Sequence, residues 1–94
     1  MRVRWLRKAL RNLDEEAAYI AADDPGAARL VVKRVLDAVA MLTNQPGLGH
    51  PGRVSGTREL LVARTRYIVP YRVRSETVEI LRVFHTSRHL PQRG

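Results

Sequence analysis

Tyrosine, arginine and histidine side chains are concentrated on two neighbouring segments in the second half of the sequence. The four of most interest are Tyr71, Arg72, Arg82 and His85. Such a group could support phosphodiester cleavage by a 2′-hydroxyl, in which a histidine or tyrosine moves protons and arginines stabilise the developing negative charge. Neither segment alternates cleanly between polar and apolar residues, so the sequence does not decide which of the four share one face of a sheet.

Each of these residues also has a structural interpretation. Tyr71, and Tyr67 before it, fit core positions whose hydroxyl groups reach water. Arg72 and Arg82 fit ion pairs as well as they fit contacts to a ligand. The glutamates that could pair with them are Glu59, Glu76 and Glu79.

Metal and cofactor sites have no support in the sequence. Cysteine is absent, which excludes a thiol nucleophile, a disulfide scaffold and thiolate ligands. The histidines lack the spacing of a metal site, and the Gly47-Leu48-Gly49 segment has no strand-to-helix context for a dinucleotide. We expect neither a metal nor a cofactor. The three histidines are His50, His85 and His89.

The positive charge lies mainly in the second half of the chain. The net charge is +8; residues 1–44 hold eight basic and six acidic side chains, and residues 45–94 hold nine basic and three acidic. Arginine, which binds phosphate and carboxylate in a planar, bidentate manner, provides fifteen of the seventeen cations. This pattern favours a nucleic acid, a nucleoprotein or an acidic protein segment as partner. The alternative is a GC-rich genome, in which arginine codons displace lysine.

The elements that must position these side chains begin with a strand and two helices. Alternation over residues 2–6 predicts a half-buried strand. Apolar spacing of three and four predicts a helix over residues 8–22, and Asp23-Asp24-Pro25 ends it and caps a second helix that runs from Pro25 to about Thr43. So short a turn predicts an antiparallel hairpin. The predicted buried stripes are Leu6, Leu10, Leu13, Ala17 and Ile20, then Ala28, Val31, Val35, Val39 and Leu42, flanked by Val32 and Leu36.

A loop and three strands complete the predicted fold. Asn44–Gly56 is rich in glycine and proline and predicts a loop. Strands at 58–64, 67–73 and 77–84 have connectors short enough for an antiparallel meander. We therefore predict one α+β domain over residues 1–94, with the helices on one face of the sheet and the other face open. Pro70 lies mid-strand, which predicts a bulge or an edge position.

Sequence signals for secretion or membrane insertion are missing. The first eight residues carry charges throughout, unlike a signal peptide, and no stretch approaches the roughly 20 apolar residues of a membrane span. We expect a cytoplasmic protein with no membrane partner.

In this order the segments resemble the RelE/ParE toxin family over nearly the full length, and most closely between Asp23 and Arg88. The segments that carry the resemblance are Trp5-x-x-x-Ala9-x-x-x-Leu13, Tyr19-Ile20-Ala21, Gly49-His50-Pro51-Gly52-Arg53, Gly56-Thr57-Arg58-Glu59-Leu60, Tyr67-Ile68-Val69-Pro70-Tyr71-Arg72-Val73, Val78-Glu79-Ile80-Leu81-Arg82-Val83-Phe84-His85 and Arg88.

The resemblance implies a toxin that is neutralised by a cognate antitoxin in a hetero-oligomer. In that family the C-terminal segment of the antitoxin wraps the toxin, and its N-terminal domain binds the promoter. An acidic, partly disordered segment would be attracted to this basic chain and would order on binding, covering apolar grooves beside the helices.

The family divides by target. RelE-like members are ribosome-dependent endoribonucleases, whereas ParE-like members poison DNA gyrase and lack the ribonuclease residues. This sequence departs from the RelE pattern: no lysine follows Lys33, Leu60-Leu61-Val62 and Ile68 are apolar where the ribonucleases carry basic residues, and no tyrosine follows Tyr71. We therefore expect a ParE-like gyrase poison without catalytic residues.

Two sets of site residues follow from these alternatives. The candidates for contact with the target are Arg53, Arg58, Tyr67, Tyr71, Arg72, Arg82, His85 and Arg88. If the chain is instead a ribosome-dependent ribonuclease, the catalytic candidates are Arg58, Arg72, Arg82, His85 and Arg88, of which only His85 could shuttle protons near neutral pH. A nucleic-acid-binding module without toxicity would explain the charge but not the ordered motifs.

Overall fold

The computed structural model of the chain describes residues 1–87. A short strand precedes two helices, and the second helix ends in a single 3₁₀ turn. Six strands form one sheet. The elements are β1 (Arg2–Trp5), α1 (Arg7–Ala21), α2 (Pro25–Ala40), the 3₁₀ turn (Met41–Thr43), β2 (His50–Pro51), β3 (Arg58–Leu61), β4 (Tyr67–Arg74), β5 (Thr77–Ile80) and β6 (Phe84–His85).

The sheet has the order β1-β5-β4-β3-β2, and β6 also pairs with β4. The three longer C-terminal strands form the predicted antiparallel meander, with β4 at its centre. The structure contains two strand pairings that the sequence did not predict. β1 runs parallel to β5, and β2 forms within the predicted loop and pairs with β3. The sheet is therefore mixed rather than a meander alone.

The helical hairpin forms as the sequence predicts. Asp24 caps α2, since its side chain accepts a hydrogen bond from the Ala27 amide at 3.1 Å, and Pro25 occupies the first helical position. Helix α1 begins one residue earlier and ends one residue earlier than predicted. Both helices pack on one face of the sheet, so the predicted layer arrangement is confirmed.

The buried line of α1 differs from the predicted stripe. Ala9, Leu13 and Glu16 are buried, whereas Leu10 is 46% exposed. On α2, Leu36 is also exposed, although the rest of its predicted stripe is buried or half-buried. Two adjacent lines of α1 have helical spacing, and the line with the small Ala9 side chain packs against the core. Periodicity alone could not choose between these lines.

Alternation along β4 separates the two faces of the sheet. Tyr67, Val69 and Tyr71 are buried in the core beneath the helices. Pro70 and Arg72 alternate with them and lie on the other face of the sheet. No helix within residues 1–87 covers that face, which we call the open face. Side chains from both helices, the 3₁₀ turn, β3, β5 and the segments next to these strands complete the helix-side core. Its main members are Ala9, Leu13, Val35, Val39, Leu42, Leu60, Val62, Val78, Ile80 and Val83.

A bulge divides the strand predicted at 77–84 into β5 and β6. Between the pairs Tyr71–Ile80 and Ile68–Phe84, the partner strand holds one residue more than β4. The bulge lies opposite Pro70, whose carbonyl accepts the Leu81 amide at 2.9 Å but whose nitrogen has no hydrogen to donate in return. The predicted bulge is therefore present, and the alternative of an edge position is wrong because β4 is central.

The turn between β4 and β5 brings the charged ends of these strands together. Its two central residues, Ser75 and Glu76, have φ values of 50° and 60°. Positive φ at both central positions is typical of a two-residue hairpin turn, in which glycine or asparagine is usual. The turn keeps Arg74 opposite Thr77 at the end of the open face.

Candidate functional site

An ionic cluster occupies the open face where β1, β5 and β4 lie side by side. Register places Arg4 beside Glu79 and Glu79 beside Arg72. The Arg72 Nε donates a hydrogen bond to Glu79 Oε1 at 2.7 Å. Arg4 and Arg74 approach the same carboxylate at 3.6 Å and 3.9 Å. One glutamate therefore holds three arginines from two different strands.

The Glu79 carboxylate is stabilised in its ionised form. The hydrogen bond from Arg72 is the main reason that the pKa of Glu79 lies below its usual value, and the charges of the three arginines act in the same direction. Partial burial opposes them. At neutral pH the carboxylate thus stays charged and orients the guanidinium groups around it.

A cavity of about 450 Å³ continues the open face toward β3 and β6. Arg53 crosses it, with its Nε 3.5 Å from Glu59 Oε2 and its guanidinium carbon 5.6 Å from the centre of the Phe84 ring. Glu59 is only 7% exposed, so its charge requires this partner. The cavity is lined by Arg53, Val54, Thr57, Glu59, Pro70, Arg72, Leu81, Arg82 and Phe84.

Arg82 joins this cavity to the first helix. Its Nε donates to Asn12 Oδ1 at 3.2 Å, and the Val83 amide donates to the same oxygen at 3.1 Å. Asn12 thus accepts the hydrogen bond of the Val83 amide, which has no partner strand to bond to at the bulge. The Arg82 side chain stays exposed, and the two hydrogen bonds fix where it emerges.

Tyr71 lies on the helix side, not the open face. It has no exposed surface, its hydroxyl donates to the Pro46 carbonyl at 2.7 Å, and it accepts the Gly49 amide at 2.9 Å. A Cβ on Gly49 would lie 2.8 Å from the Tyr71 ring and 2.8 Å from the Glu59 carbonyl. Only glycine allows the loop to approach this closely. Tyr71 therefore anchors the loop that leads to β2.

Tyr67 and His85 also lie on the helix side. The Tyr67 hydroxyl donates to Glu16 on α1 at 2.8 Å, and both residues are buried. His85 pairs with Tyr67 in the sheet, and their rings meet edge to face with centroids 5.3 Å apart. The interpretation of the two tyrosines as core residues is confirmed, but their hydroxyls bond to protein atoms.

Arg58 has a structural contact as well. From the first position of β3 its guanidinium donates to the Gly49 carbonyl at 2.6 Å and lies 3.4 Å from the Gly47 carbonyl. It thus fixes the same loop that Tyr71 holds from the core. Arg88, the last sequence-based candidate, lies outside the described residues.

The predicted site residues therefore separate into two groups. Three arginines line the open-face cavity, whereas two tyrosines and His85 lie on the opposite side of the sheet. The proton-shuttling candidate is thus separated from Arg72 by the sheet, so the four side chains whose faces the sequence left open do not all share one face. The arginines brought together are Arg53, Arg72 and Arg82.

The sequence did not single out the residues that complete the open face. Arg4 and Arg74 were not candidates, and Glu79 was only one of three possible ion-pair partners. The alternation of arginines in the first strand is a visible signal. Its meaning depends on the parallel pairing of β1 with β5, which joins residues more than seventy positions apart.

A groove on the outer side of the helical hairpin differs in character from the open face. It has a volume of about 570 Å³ and a mainly apolar floor. Leu36 lines it and is 45% exposed. Arg29, Lys33 and Asp37 stand at its rim, and Lys33 pairs with Asp37 at 2.8 Å. The floor is formed by Ala17, Ala18, Ala21, Pro25, Ala28, Val32 and Leu36.

Metal and membrane features can be assessed for the described part of the chain. Within residues 1–87, no three His, Asp or Glu side chains lie close enough together to hold a metal ion. In the same range, neither helix is long and apolar enough to cross a membrane.

Comparison with known proteins connects this geometry to a family. A family model described as the ParE toxin of the type II toxin–antitoxin system parDE matches residues 3–90. The curated protein "Putative toxin Y4kP" of Sinorhizobium fredii is 52% identical over 91 residues, which cover 97% of this chain and 94% of that protein.

Two solved structures resemble the fold. A chain of the chromosomal ParDE toxin–antitoxin system from P. aeruginosa superposes with a TM-score of 0.82 at 30% identity, over 93% of this chain and 97% of that chain. A chain of the toxin–antitoxin complex RelBE2 from Mycobacterium tuberculosis gives a TM-score of 0.58 at 29% identity, over 89% and 88% of the two chains.

Proposed function

The chain belongs to the ParE toxin family of type II toxin–antitoxin systems, and we propose that this toxin inhibits growth by binding DNA gyrase and trapping it on DNA. The toxin acts by binding and contributes no catalytic residue. Its target places its action in the cytoplasm.

The observation that carries this proposal is the division of polar groups between the two faces of the sheet. The tyrosines bond to protein atoms in the core, and His85 packs on Tyr67. Within residues 1–87, arginines line the open-face cavity and no tyrosine or histidine does. Its one carboxylate, Glu59, is paired with Arg53. A surface of this kind suits recognition of an acidic target better than acid–base catalysis. The better overlay with the ParDE chain than with the RelBE2 chain supports the same assignment.

The experiment is a supercoiling assay with purified toxin, purified gyrase and relaxed plasmid. We expect half-inhibition of supercoiling at or below micromolar toxin, and recovery when the cognate antitoxin is added first. A matched reaction with a type I topoisomerase controls for general inhibition by a basic protein. Gyrase that is indifferent to micromolar, correctly folded toxin would contradict the proposal.

An antitoxin partner is supported by the family and by the complexes to which the structural neighbours belong. We propose that the acidic C-terminal segment of the antitoxin wraps the toxin and lies in the hairpin groove. The exposed Leu36 would anchor an apolar side chain of that segment, and Arg29 would attract its carboxylates.

The groove assignment is tested by Leu36→Glu. A carboxylate in the apolar floor should weaken antitoxin binding by at least about 30-fold, the loss of one interface residue worth about 2 kcal/mol, in a calorimetric titration. Leu30→Glu is the matched control, because Leu30 lies on the same helix, is 46% exposed and does not line the groove. Equal affinities of the two variants for antitoxin would show that the segment docks elsewhere.

The competing function is a ribosome-dependent endoribonuclease, favoured by Arg72 and Arg82 on one cavity and by the similarity to a RelBE2 chain. It predicts mRNA cleavage in the ribosomal A site and loss of toxicity in His85→Ala and Arg82→Ala. Unaltered transcripts in intoxicated cells would count against it.

A further inference from the structure

Four arginines form two rows on the open face at the β1 end of the sheet. Register gives one row as Arg4, Glu79 and Arg72, and the next as Arg2, Thr77 and Arg74. Adjacent strands lie roughly 4.8 Å apart and alternate residues of one strand about 6.7 Å apart, so the arginine backbones stand at the corners of a rectangle about 10 Å by 7 Å. We call these four residues the arginine rectangle.

The arginine rectangle carries more positive charge than its own carboxylate can neutralise. Glu79 contacts three of the four guanidinium groups and, of residues 1–87, is the one acidic residue that lines the cavity between them. Glu76 lies beside Arg2 on a neighbouring cavity, so four arginines still face two carboxylates. The Arg4 and Arg74 side chains are 68% and 62% exposed. Because a guanidinium has five N–H donors, most of these donors are left for an external anion. Glu79 thus keeps the arginines together without cancelling their charge.

The other lining residues indicate the chemistry of that anion. The cavity is polar, and no aromatic side chain of the described part of the chain lines it. Proteins that bind unpaired nucleotides place aromatic rings under the bases, so a single strand is a poor fit. An acidic peptide segment needs apolar anchors, and of the described residues that line this cavity only Val3 and Leu6 are apolar. An array of guanidinium groups suits regularly spaced phosphates.

From these observations we propose that the arginine rectangle binds the phosphate backbone of duplex DNA, without reading its sequence. The contact goes beyond the proposed function and does not depend on gyrase being the target. On a gyrase–DNA complex it would add affinity for the DNA that the enzyme holds. Since contacts to phosphates dominate, the binding should be strongly salt-dependent.

The test is fluorescence anisotropy with full-length toxin and a labelled 20-base-pair DNA duplex of mixed sequence, at several salt concentrations. Arg4→Gln/Arg74→Gln should weaken binding and make the slope of log K against log salt shallower by about 1.8, the effect of two lost phosphate contacts. Arg7→Gln/Arg11→Gln is the matched control, because it removes two exposed arginines from α1 and should leave most of the slope unchanged.

Stability and competing ligands are measured on the same proteins. If the melting temperature of Arg4→Gln/Arg74→Gln falls by more than a few degrees, Arg2→Gln/Arg74→Gln replaces it, since that variant keeps the pairs of Glu79 with Arg72 and Arg4. Equal slopes for the rectangle variant and the α1 control would overturn the proposal. So would unchanged duplex binding with weakened binding of a labelled polyglutamate peptide or a single-stranded RNA of the same length.

Discussion

Strand β4 carries Tyr67 and Tyr71 on one side and Arg72 and Arg74 on the other, and the two sides use their polar atoms differently. On the helix side each tyrosine hydroxyl bonds to a protein partner within the core or at its margin. On the open face the arginines share one carboxylate and keep most of their donors toward solvent. One strand thus supplies both the anchor of the fold and the surface that we propose binds a partner.

This difference shows where function should be sought in such a small domain. A tyrosine and an arginine next to each other in sequence face opposite directions in a strand, so their chemistry cannot combine across the sheet. The hydroxyl groups of the buried tyrosines stabilise a loop and a helix. The guanidinium groups have unused hydrogen-bonding capacity, and the substitutions below test whether this division holds.

The largest effect on gyrase inhibition is expected from Arg72→Gln/Arg82→Gln on the open face. Loss of these two charges should raise the toxin concentration needed to half-inhibit gyrase by at least about 30-fold, the effect of one interface residue worth about 2 kcal/mol. Stability should change by only about 1 kcal/mol or less, because both side chains are partly exposed. The control is Arg7→Gln/Arg11→Gln on α1. Inhibition equal to that of the control would show that the open face does not contact gyrase.

On the helix side, Tyr71→Phe should have the opposite profile. It deprives the Pro46 carbonyl and the Gly49 amide of their partner, and a buried group without a hydrogen bond costs about 1–3 kcal/mol. We expect a loss of roughly 2–4 kcal/mol in the free energy of unfolding, measured by urea denaturation. Gyrase inhibition per folded molecule should not change. A stable variant with weakened inhibition would instead place Tyr71 at the target interface.

The loop anchored by Tyr71 is tested by Gly49→Ala. The added methyl group would overlap the Tyr71 ring and the Glu59 carbonyl, and overpacking of this kind costs about 1–3 kcal/mol. Gly47→Ala, two residues earlier in the same loop, meets no atom within 4 Å and is the control. Thermal denaturation of the two variants separates the effects. Equal melting temperatures would mean that the loop moves away from Tyr71 without cost.

The smallest effect concerns acid stability at Glu79. Its pKa is lowered in the folded protein, chiefly by the hydrogen bond from Arg72, so it stabilises the fold above its unfolded pKa of about 4.5. That contribution is lost as the pH falls through the lower, folded value. The free energy of unfolding should therefore decrease more steeply below pH 4.5 in the wild type than in Glu79→Gln. Parallel pH profiles would contradict an ionised, arginine-bound carboxylate.

The sequence predicted the parts of the fold that depend on local signals. Helical spacing, the Asp24 cap and the short connectors placed the hairpin and the meander strands to within a few residues, except where β3 ended early. The family resemblance supplied the toxin assignment. Pro70 indicated the bulge, because the missing N–H is a local property of that residue.

The rest of the site depends on distant pairings. Arg4 reaches Glu79 only because β1 pairs in parallel with β5, and no local pattern specifies that partner. The burial of Tyr71 depends on the close approach of Gly49, twenty-two residues away. Tertiary contacts also decided that α1 buries Ala9 rather than Leu10. Sequence reasoning therefore identified arginines but could not assign them to a face.

Whether the toxin acts by binding gyrase is decided by comparing two reactions with one preparation of toxin. In the first, gyrase and supercoiled plasmid are stopped with detergent and protease, and linear DNA is measured. In the second, translating ribosomes receive the same toxin and mRNA cleavage is mapped. We expect the amount of linear DNA to increase with toxin and the mRNA to stay intact. Cleaved mRNA without gyrase-dependent linear DNA would contradict it.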